Sequence, residues 1–577
     1  MRRYRWAVGT FVALAACAVA VSVGQAAKHP TPAQSAKQRL ASIKHFVVIY
    51  EENHSFDNLY GGWEGVDGRS SADAAHTRQV NQSGTAYTCL EQNDLNLAPP
   101  ALPGTCSDST TGTTFTSAFT NAPFAITDKI PLDATTCPKP VGAFAAHGFL
   151  AGTGLPGGCT EDIVHRYYQE QYQLDGGKQD RYVTGSDAAG LVMGYYDTRS
   201  LPIYQYLHGK HAPSYAIADR FFQGAFGGSF LNHQLLVAAT APVFANAPNN
   251  GGSTDLHSVV DQNGMPNNYP LYHSPLGTAV KDSQLTVSCS PPPGTPAPPA
   301  GTTCGDYAVN TTQPWVQPYA PGTADAKRLP LLTNKTIGDL LTAKNVDWAW
   351  YSGGWSNADG DVGAPGWTNG NGPKCSDPNA LPTAVYPNCP DVDFQFHHQA
   401  FNYYADLAPG TAARKQHLQD EAAFFSAAQS SERSCRLKPV SFVKPIGEEN
   451  EHPGYASEAQ GSNHLVELLR TIEGSACAKD TMVIVTYDEF GGQWDHVPPP
   501  GKTSPTKGPY DQWGPGTRIP ALILAPNLPS HFVVDHTEHD TVSILSTIEH
   551  RYGLAALSKR DKQGNDLSSV WTAKAAK

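Results

Sequence analysis

The stretch at residues 482–497, MVIVTYDEFGGQWDHV, constrains the fold of this chain more than any other. Its β-branched run at residues 483–486 predicts a fully buried strand of a parallel sheet, because such strands have no wet face and consist of continuous apolar residues. Two carboxylates, Asp488 and Glu489, follow the strand directly, and the Gly491-Gly492 pair permits sharp turns after them. Oxygen ligands at the carboxyl end of a strand predict a metal or phosphate site, since open α/β sheets bind ligands at that edge.

A second segment, near the start of the chain, repeats this design. Residues 43–50, IKHFVVIY, form another apolar run, and Glu51, Glu52 and Asn53 follow it. Taken alone, Glu52 and Asn53 fit a capped turn as well as a pair of ligands. Burying an unpaired carboxylate is costly, so one cation shared between the two strand ends explains Glu52 and Asp488 together.

Strand and helix patterns alternate along most of the chain. Further strands are predicted at residues 214–218, 347–351, 439–446 and 519–525, and helices at residues 164–172, 234–240 and 416–429, with two more helices, one capped by Ser462 and one ending at Gly553. The alternation predicts an α/β fold whose mostly parallel central sheet is flanked by helices. Residues near 62–160 and 243–325 are rich in Gly and Pro, which predicts loop insertions.

The N-terminus carries the pattern of an export signal. Three arginines precede an apolar run at residues 7–23, and small residues lead up to Ala26. This pattern predicts a signal peptide at residues 1–26, a single domain at residues 27–577, and a location in the periplasm or outside the cell. Lipidation at Cys17 is the alternative, but apolar residues continue beyond it to Val23. No later segment is apolar over the thickness of a bilayer.

Ten cysteines follow the predicted signal peptide. An even number in an exported chain predicts disulfides that pin the loop insertions, and consecutive pairing is one connectivity among many. A thiolate metal cluster is disfavoured because no Cys-x-x-Cys spacing occurs. The ten are Cys89, Cys106, Cys137, Cys159, Cys289, Cys304, Cys375, Cys389, Cys435 and Cys477.

Net charge restricts the class of partner. With 40 basic and 52 acidic residues the chain carries −12. Nothing in this balance favours a nucleic-acid backbone or an anionic membrane surface, both of which bind through clustered positive charge.

Ser229 is a candidate nucleophile. It follows Gly227 and Gly228 and precedes the predicted helix at residues 234–240, so its hydroxyl lies beside free backbone N–H groups that favour an anion. A helix-capping role is the alternative for a serine in this position. A neighbouring metal would favour the nucleophilic alkoxide.

Several histidines could contact a phosphate and move a proton, although each one alone also fits a structural or exposed position. They are His165, His397, His398 and His452, of which His452 follows a strand end and is the first choice as the acid. A second metal could use Asp535, His536, His539 and Asp540, for which helix capping is the alternative.

Five motifs together resemble the bacterial phosphoesterase family that contains secreted acid phosphatases and phospholipases C, within the alkaline-phosphatase-like superfamily. The motifs are IKHFVVIYEENHSFDNLYG at residues 43–61, FGGSFLNH at 226–233, EHPGY at 451–455, YDEFGGQWDHVP at 487–498 and VDHT at 534–537. They extend over nearly the whole predicted mature chain, and the first and fourth are specific as a pair.

The resemblance implies an alkaline-phosphatase-like fold and a metal-dependent phosphoesterase that forms a phosphoserine. It implies that Glu52, Asn53 and Asp488 hold one metal ion together with the nucleophile Ser229. His165, His397 and His398 are then substrate contacts, and His452 assists the leaving group. The metal is a divalent or iron-type ion, since oxygen ligands leave iron, manganese, zinc, calcium and magnesium open.

Two departures from the family pattern bear on the substrate. Glu489 stands where the acid phosphatases carry Asp, so it is either a metal ligand or a substrate contact. The phospholipase branch has Thr-x-Pro-Asn-Arg where this chain has Ser229-Phe-Leu-Asn232-His233. The second departure favours an acid phosphatase acting on small phosphate monoesters, with phospholipase C on phospholipids as the alternative. A secreted protein that binds metal and phosphate without turnover is the non-enzyme alternative.

Overall fold

The structure is a computed structural model that describes residues 32–92, 103–128, 132, 162–242, 259–265, 268–276, 280–281, 331–367, 394–447, 449–454 and 457–576. The predicted signal peptide, Cys17 and most of residues 243–325 lie outside the described residues. Six of the ten cysteines also lie outside them, namely Cys137, Cys159, Cys289, Cys304, Cys375 and Cys389.

A nine-stranded sheet forms the centre of the fold. In chain order its strands are β1 His45–Glu51, β2 Tyr215–Ala218, β3 Trp348–Ser352, β4 Leu418–Asp420, β5 Val440–Lys444, β6 Thr481–Tyr487, β7 Ala521–Leu524, β8 Phe532–Asp535 and β9 Lys574–Ala575. Their order across the sheet is β4-β3-β5-β1-β6-β7-β2-β8-β9. The two strands that carry the acidic motifs, β1 and β6, are therefore direct neighbours in the middle of the sheet.

The sheet is mixed but mostly parallel, as predicted. Strands β4, β3, β5, β1 and β6 run parallel to one another, and β8 runs parallel to β2. Strand β7 is antiparallel to both of its neighbours, and β9 is antiparallel to β8. Every residue of β6 is buried, and so is every residue of β1 after His45. This burial explains why both strands contain continuous apolar runs.

Thirteen α-helices are found among the described residues, and they pack around the sheet. α6 packs against α12, and α11 packs against α5 and α10. The helices are α1 Pro32–Ser42, α2 Phe56–Leu59, α3 Ala74–Thr77, α4 Tyr167–Leu174, α5 Pro202–Leu207, α6 Ser229–Ala238, α7 Ile337–Ala343, α8 Trp355–Asp359, α9 Ala412–His417, α10 Glu421–Gln429, α11 Glu458–Glu473, α12 Thr541–Tyr552 and α13 Lys559–Gln563.

Two local predictions are wrong. The single helix expected at residues 416–429 is interrupted, because Leu418–Asp420 pairs with β3 as a strand and Asp420 then caps a new helix, α10. Ser462 does not cap α11. The helix begins one turn earlier, where Ser457 accepts the N–H of Gln460, and Ser462 lies buried inside the helix. A serine one turn into an amphipathic helix resembles a cap in sequence, and only the backbone conformation separates the two.

The predicted insertion after β1 contains short ribbons and one disulfide among its described residues. Cys89–Leu90 pairs with Phe119–Thr120, and Cys106–Asp108 pairs with Phe115–Ser117. Cys89 and Cys106 form a disulfide that joins these ribbons, and Cys435 is bonded to Cys477. Both are consecutive pairs.

The remaining short strands pair outside the central sheet. They are Phe124–Ala125 with Gly194–Tyr195, Phe221–Phe222 with His539–Asp540, Val259–Val260 with Val280–Lys281, and Asn268–Tyr269 with Tyr272–His273. Single 3₁₀ turns complete the described elements at Arg69–Ser71, Ile126–Asp128, Asp175–Gly177, Ala189–Met193, Thr198–Ser200, Phe396–His398, Ala400–Tyr403, Ala405–Leu407, Ala478–Asp480 and Leu567–Trp571.

Candidate active site

The register of β1 and β6 brings the two acidic motifs together. Glu51 is paired with Tyr487, so the next residues, Glu52 and Asp488, leave adjacent strands side by side. The Asp488 N–H donates to Glu51 O at 3.1 Å, and the Asn53 N–H donates to Asp488 Oδ1 at 3.2 Å. Carboxylate oxygens of Glu52 and Asp488 and a ring nitrogen of His233 lie within 4.8 Å of one another, and all three residues are buried.

Asn53 is held in an orientation that leaves its carbonyl oxygen available. His452 donates from Nδ1 to Pro453 O at 2.7 Å, because a carbonyl oxygen only accepts. In a neutral imidazole Nε2 is then the acceptor, so the partner 2.7 Å away on Asn53 is its amide nitrogen. Asn53 Oδ1 is buried without a hydrogen bond. The side chain therefore presents an oxygen to the cluster.

Ser229 is the first residue of α6 and lies beside Asp488. The turn before it needs glycine, because Gly227 has φ of 84° and a Cβ there would lie 2.3 Å from the backbone nitrogen of Tyr167. A hydrogen bond from the Ser229 side chain reaches the carboxylate of Asp488. The hydroxyl is thus at the N-terminus of a ten-residue helix, where an anion is stabilised.

Lys444 is a site residue that the sequence analysis missed. It ends β5, is fully buried, and its ammonium contacts Glu52 Oε1. It also donates to Tyr50 O at 3.0 Å and to Glu51 O at 3.3 Å. The available signal was a charged residue within an otherwise apolar run, which indicates a buried ion pair.

Three histidines surround the Glu52 side of the cluster. His398 Nε2 lies 2.9 Å from Glu52 Oε1, and the rings of His233 and His398 are stacked with centroids 5.4 Å apart. Burial lowers the pKa of His398 to about 4 and holds the pKa values of His233 and His397 well below the usual range. These imidazoles are therefore neutral near pH 7 and can donate from one nitrogen while accepting at the other.

His165 and Glu489 form the other side of the cluster. His165 Nε2 lies 3.4 Å from Glu489 Oε1, and the ring centroid of His165 is 6.3 Å from that of His452. Burial and the neighbouring Asp488 raise the pKa of Glu489 well above its usual value. All of the site residues expected from the sequence therefore meet at one edge of the sheet.

The electrostatics of the cluster fit a cation. Burial and the charge of Glu52 raise the pKa of Asp488 to about 8, although Lys444 and the hydrogen bonds from Ser229 and Asn53 oppose this rise. Burial also opposes ionisation of Glu52, but the hydrogen bond from His398 and the ammonium of Lys444 hold its pKa well below the usual range. Among the described residues around Glu52, Asp488 and Glu489, Lys444 is the only ammonium that contacts a carboxylate of the cluster. Hard oxygen donors, an unbonded amide oxygen and excess negative charge together suit a metal ion.

Two other acidic groups are less suited to a metal. Asp57, Asp495 and His496 converge, but the guanidinium of Arg518 lies between the two carboxylates, 3.2 Å from Asp57 and 3.1 Å from Asp495. In the second metal site considered from the sequence, whose four residues the structure describes, only Asp535 and His539 contact each other, with His539 Nε2 3.3 Å from Asp535 Oδ2. Asp540 caps α12 and forms an ion pair with Arg560, and His536 Nδ1 lies 2.8 Å from a carboxylate oxygen of Asp219.

A sequence model described as the phosphoesterase family matches residues 43–555. The chain belongs to this family. The matched phosphoesterase region contains every residue of the candidate site and eight of the nine strands of the central sheet.

Curated relatives of this phosphoesterase carry phospholipase names. Phospholipase C B of Mycobacterium tuberculosis is 30% identical over 159 residues, which cover 24% of this chain and 30% of the relative. Non-specific phospholipase C6 of Arabidopsis thaliana is 27% identical over 136 residues, covering 21% and 26%. Non-hemolytic phospholipase C of Burkholderia pseudomallei is 25% identical over 179 residues, covering 26% and 25%. The chain thus matches less than a third of the length of each of these relatives.

A solved structure of an alkaline phosphatase superfamily protein from Vibrio parahaemolyticus is 15% identical, with a TM-score of 0.22, and the match covers 41% of this phosphoesterase and 51% of that chain.

Within the part of the phosphoesterase that the structure describes, no helix has both the length and the apolar character needed to cross a bilayer.

Proposed function

We propose that this phosphoesterase is an exported, metal-dependent phosphoric ester hydrolase that cleaves phosphate monoesters through a phosphoserine intermediate. The observation that carries the proposal is the hydroxyl of Ser229, which lies at the N-terminus of α6 and is hydrogen-bonded to Asp488 within the cluster of Glu52 and Asn53. A nucleophile, a set of oxygen ligands and a helix N-terminus for an anion are the parts that phosphoryl transfer needs.

Each residue of the cluster has a role in this proposal. Glu52, Asn53 and Asp488, together with Ser229 Oγ, hold one metal ion, which when bound stabilises the serine alkoxide and the charge on the phosphoryl oxygens. Ser229 Oγ gives its proton to the Asp488 carboxylate, to which it is hydrogen-bonded, and attacks phosphorus while the bond to the leaving oxygen breaks. Neutral imidazoles and Glu489 orient the phosphate through hydrogen bonds, and the residues concerned are His165, His397, His398 and Glu489.

Protonation of the leaving alcohol is assigned to the imidazole pair of His452 and His165. Their rings lie 6.3 Å apart at the edge of the cluster, and both side chains are at most 6% exposed. In this arrangement His452 Nε2 accepts from Asn53 and carries no proton, so within the pair His165 delivers the proton while His452 keeps Asn53 in place. Water then releases phosphate from the phosphoserine, with an imidazole returning as the base.

Phospholipase C activity is the second candidate, because the curated relatives carry that name. A soluble monoester is favoured by the surface of the described residues, where the large exposed apolar side chains, Leu276, Val362 and Tyr510, are far apart in sequence and belong to no amphipathic helix. The two candidates separate in one assay series. At equal concentration, a monoesterase turns over nitrophenyl phosphate at least tenfold faster than phosphatidylcholine in mixed micelles, and a phospholipase C shows the reverse order.

The nucleophile is tested with Ser229→Ala. Turnover of nitrophenyl phosphate should fall about 10³-fold or more, because no other described hydroxyl is placed on Asp488. Ser430→Ala, at an exposed serine that ends α10, should leave the rate unchanged. Retained turnover in a folded Ser229→Ala protein rejects the phosphoserine. A wild-type protein that binds metal and phosphate but turns over no ester supports the non-enzyme alternative.

A further inference from the structure

Glu170 is a buried carboxylate outside the cluster that contacts the turn before Ser229. It lies in α4 and is fully buried. Its Oε2 accepts the Gly227 N–H at 2.5 Å and the Gln223 side-chain amide at 2.9 Å. Its Oε1 accepts the N–H and the hydroxyl of Thr517 at 2.6 and 2.8 Å. Each carboxylate oxygen therefore faces a backbone N–H, which can only donate.

Gln223 joins the same turn to the strand end that carries Asp488. Its Nε2 lies 2.7 Å from Ala225 O and 3.2 Å from Gly227 O as well as 2.9 Å from Glu170 Oε2, so its two hydrogens are shared among three acceptors. Its Oε1 accepts the N–H of Phe490 at 2.9 Å. The N–H of Phe490 can only donate, so this orientation of the Gln223 amide is fixed by its partners. One buried side chain thus spans the gap between the nucleophile turn and the loop after β6.

Asn232 closes the turn from the helix side. Its Oδ1 accepts the Ala225 N–H at 2.8 Å, and its Nδ2 lies 3.2 Å from the carbonyl oxygens of Ala225, Gly227 and Gly228. The backbone of Gly227, in the left-handed region, is therefore fixed by three side chains at once. Within the part of the chain that the structure describes, none of these three side chains forms a hydrogen bond with a carboxylate of the cluster, although the charge of Glu170 adds to the rise in the pKa of Glu489.

We propose that Glu170 and Gln223 are positioning residues that set the place of Ser229 Oγ relative to Asp488. This inference rests on the proposed function, because it takes Ser229 as the nucleophile. A displacement of about 1 Å at the nucleophile is enough to reduce a rate about 100-fold. The pair acts by fixing the turn, since neither side chain carries out a bond-making step.

The isosteric change Glu170→Gln keeps the size of the side chain and removes one hydrogen-bond acceptor, while Gln223→Met tests the same turn without a change of charge. The side chain of glutamine has one acceptor oxygen where glutamate has two. Its NH₂ must therefore face the N–H of either Gly227 or Thr517, and one hydrogen bond is replaced by a repulsive contact between two donors. Glu549→Gln is the matched control. Glu549 is 3% exposed in α12, and burial with Asp561 nearby raises its pKa to about 9, so its protonated carboxyl is imitated well by an amide.

The activity arm measures kcat, KM and bound metal for Glu170→Gln and for Gln223→Met, which keeps the volume of Gln223 but lacks its amide. For Glu170→Gln we expect kcat for nitrophenyl phosphate to fall about 100-fold, with KM within about threefold and metal content unchanged. Gln223→Met should lower kcat similarly, and Glu549→Gln should match the wild type. Unchanged kcat in folded Glu170→Gln and Gln223→Met overturns the inference. An equal loss in Glu549→Gln also overturns it, by showing general destabilisation.

A second arm, amide hydrogen exchange over residues 224–232, does not depend on activity. Exchange should rise at least tenfold in Glu170→Gln and stay at the wild-type rate in Glu549→Gln. If the wild-type protein turns over no phosphate ester, the proposed function fails while the exchange arm still decides whether Glu170 holds the turn. If the wild type is active and exchange does not rise, the positioning inference alone is overturned.

Discussion

Asn53 donates a hydrogen bond from its amide nitrogen to Nε2 of His452 at 2.7 Å, across 399 residues of sequence. Because His452 Nδ1 donates to Pro453 O, this bond leaves Asn53 Oδ1 as the buried atom without a partner. His452 therefore fixes the orientation of the Asn53 amide, as residues that hydrogen-bond to a metal ligand commonly do.

The first prediction follows from this bond. His452→Ala releases the amide of Asn53, and the affinity of the protein for its metal should fall about 10- to 100-fold. Calorimetric titration of metal-free protein measures this. His550→Ala, on the exposed end of α12, serves as the control and should bind metal with wild-type affinity. Equal affinity of both variants would show that His452 does not orient Asn53.

Lys444 gives the second prediction. Removing its ammonium in Lys444→Met leaves Glu52 buried beside Asp488 with less compensation, so the free energy of unfolding of metal-free protein should fall by about 3–5 kcal/mol. Urea denaturation measures it. Lys438→Met removes a partly exposed ion pair with Asp347 and should cost about 1 kcal/mol or less. Similar losses in both variants would contradict a special role for the buried lysine.

Metal removal gives the third prediction. Chelation should abolish activity and lower the thermal midpoint of the wild type, because an ion that binds only the folded protein adds its binding free energy to the stability. Scanning calorimetry with and without chelator measures the midpoint. Asp488→Asn lacks one of the proposed ligands and should bind the ion weakly, so its midpoint should respond little to chelator. A wild-type midpoint that is insensitive to chelator would argue against a bound ion at this cluster.

A pH effect on stability is the fourth prediction. Burial opposes protonation of His496, yet the carboxylate of Asp57, 2.5 Å from Nδ1, raises the pKa of His496 to about 9. A histidine with a raised folded-state pKa adds stability that is complete below the unfolded value of about 6.5 and is lost as pH rises through about 9. The wild type should therefore exceed His496→Gln by on the order of 3 kcal/mol at pH 6, with the gap closing between pH 6.5 and 9.

Urea denaturation across this pH range tests the fourth prediction. His550→Gln, at an exposed imidazole beside Asp566, is the control and should follow the wild type within about 0.5 kcal/mol at every pH. A constant gap between the wild type and His496→Gln would mean that His496 stabilises the fold through packing and not through its charge.

Local sequence was sufficient for the strands that carry the site. The apolar runs at residues 43–50 and 483–486 became β1 and β6, because a strand that is buried on both faces consists mostly of apolar residues. The turn before Ser229 and the presence of a helix after it could also be predicted from the sequence. Gly227 has a positive φ, which residues with a side chain rarely adopt. By contrast, Ser462 and residues 416–429 were misjudged, because helix boundaries depend on packing partners that lie far away in the chain.

By itself, the sequence determined which residue types end the central strands, and a resemblance then assigned roles to Glu52, Asn53, Ser229 and Asp488. Only the tertiary structure decided that β5 lies beside β1, where Lys444 contacts Glu52. It also decided that α4 packs against the turn before Ser229, where Glu170 accepts a hydrogen bond from Gly227. The reason is physical. The residue pattern of a segment indicates how it is buried and which backbone conformation it prefers. Contacts between distant segments depend on strand order and helix packing, and the residue pattern of either segment alone does not indicate them.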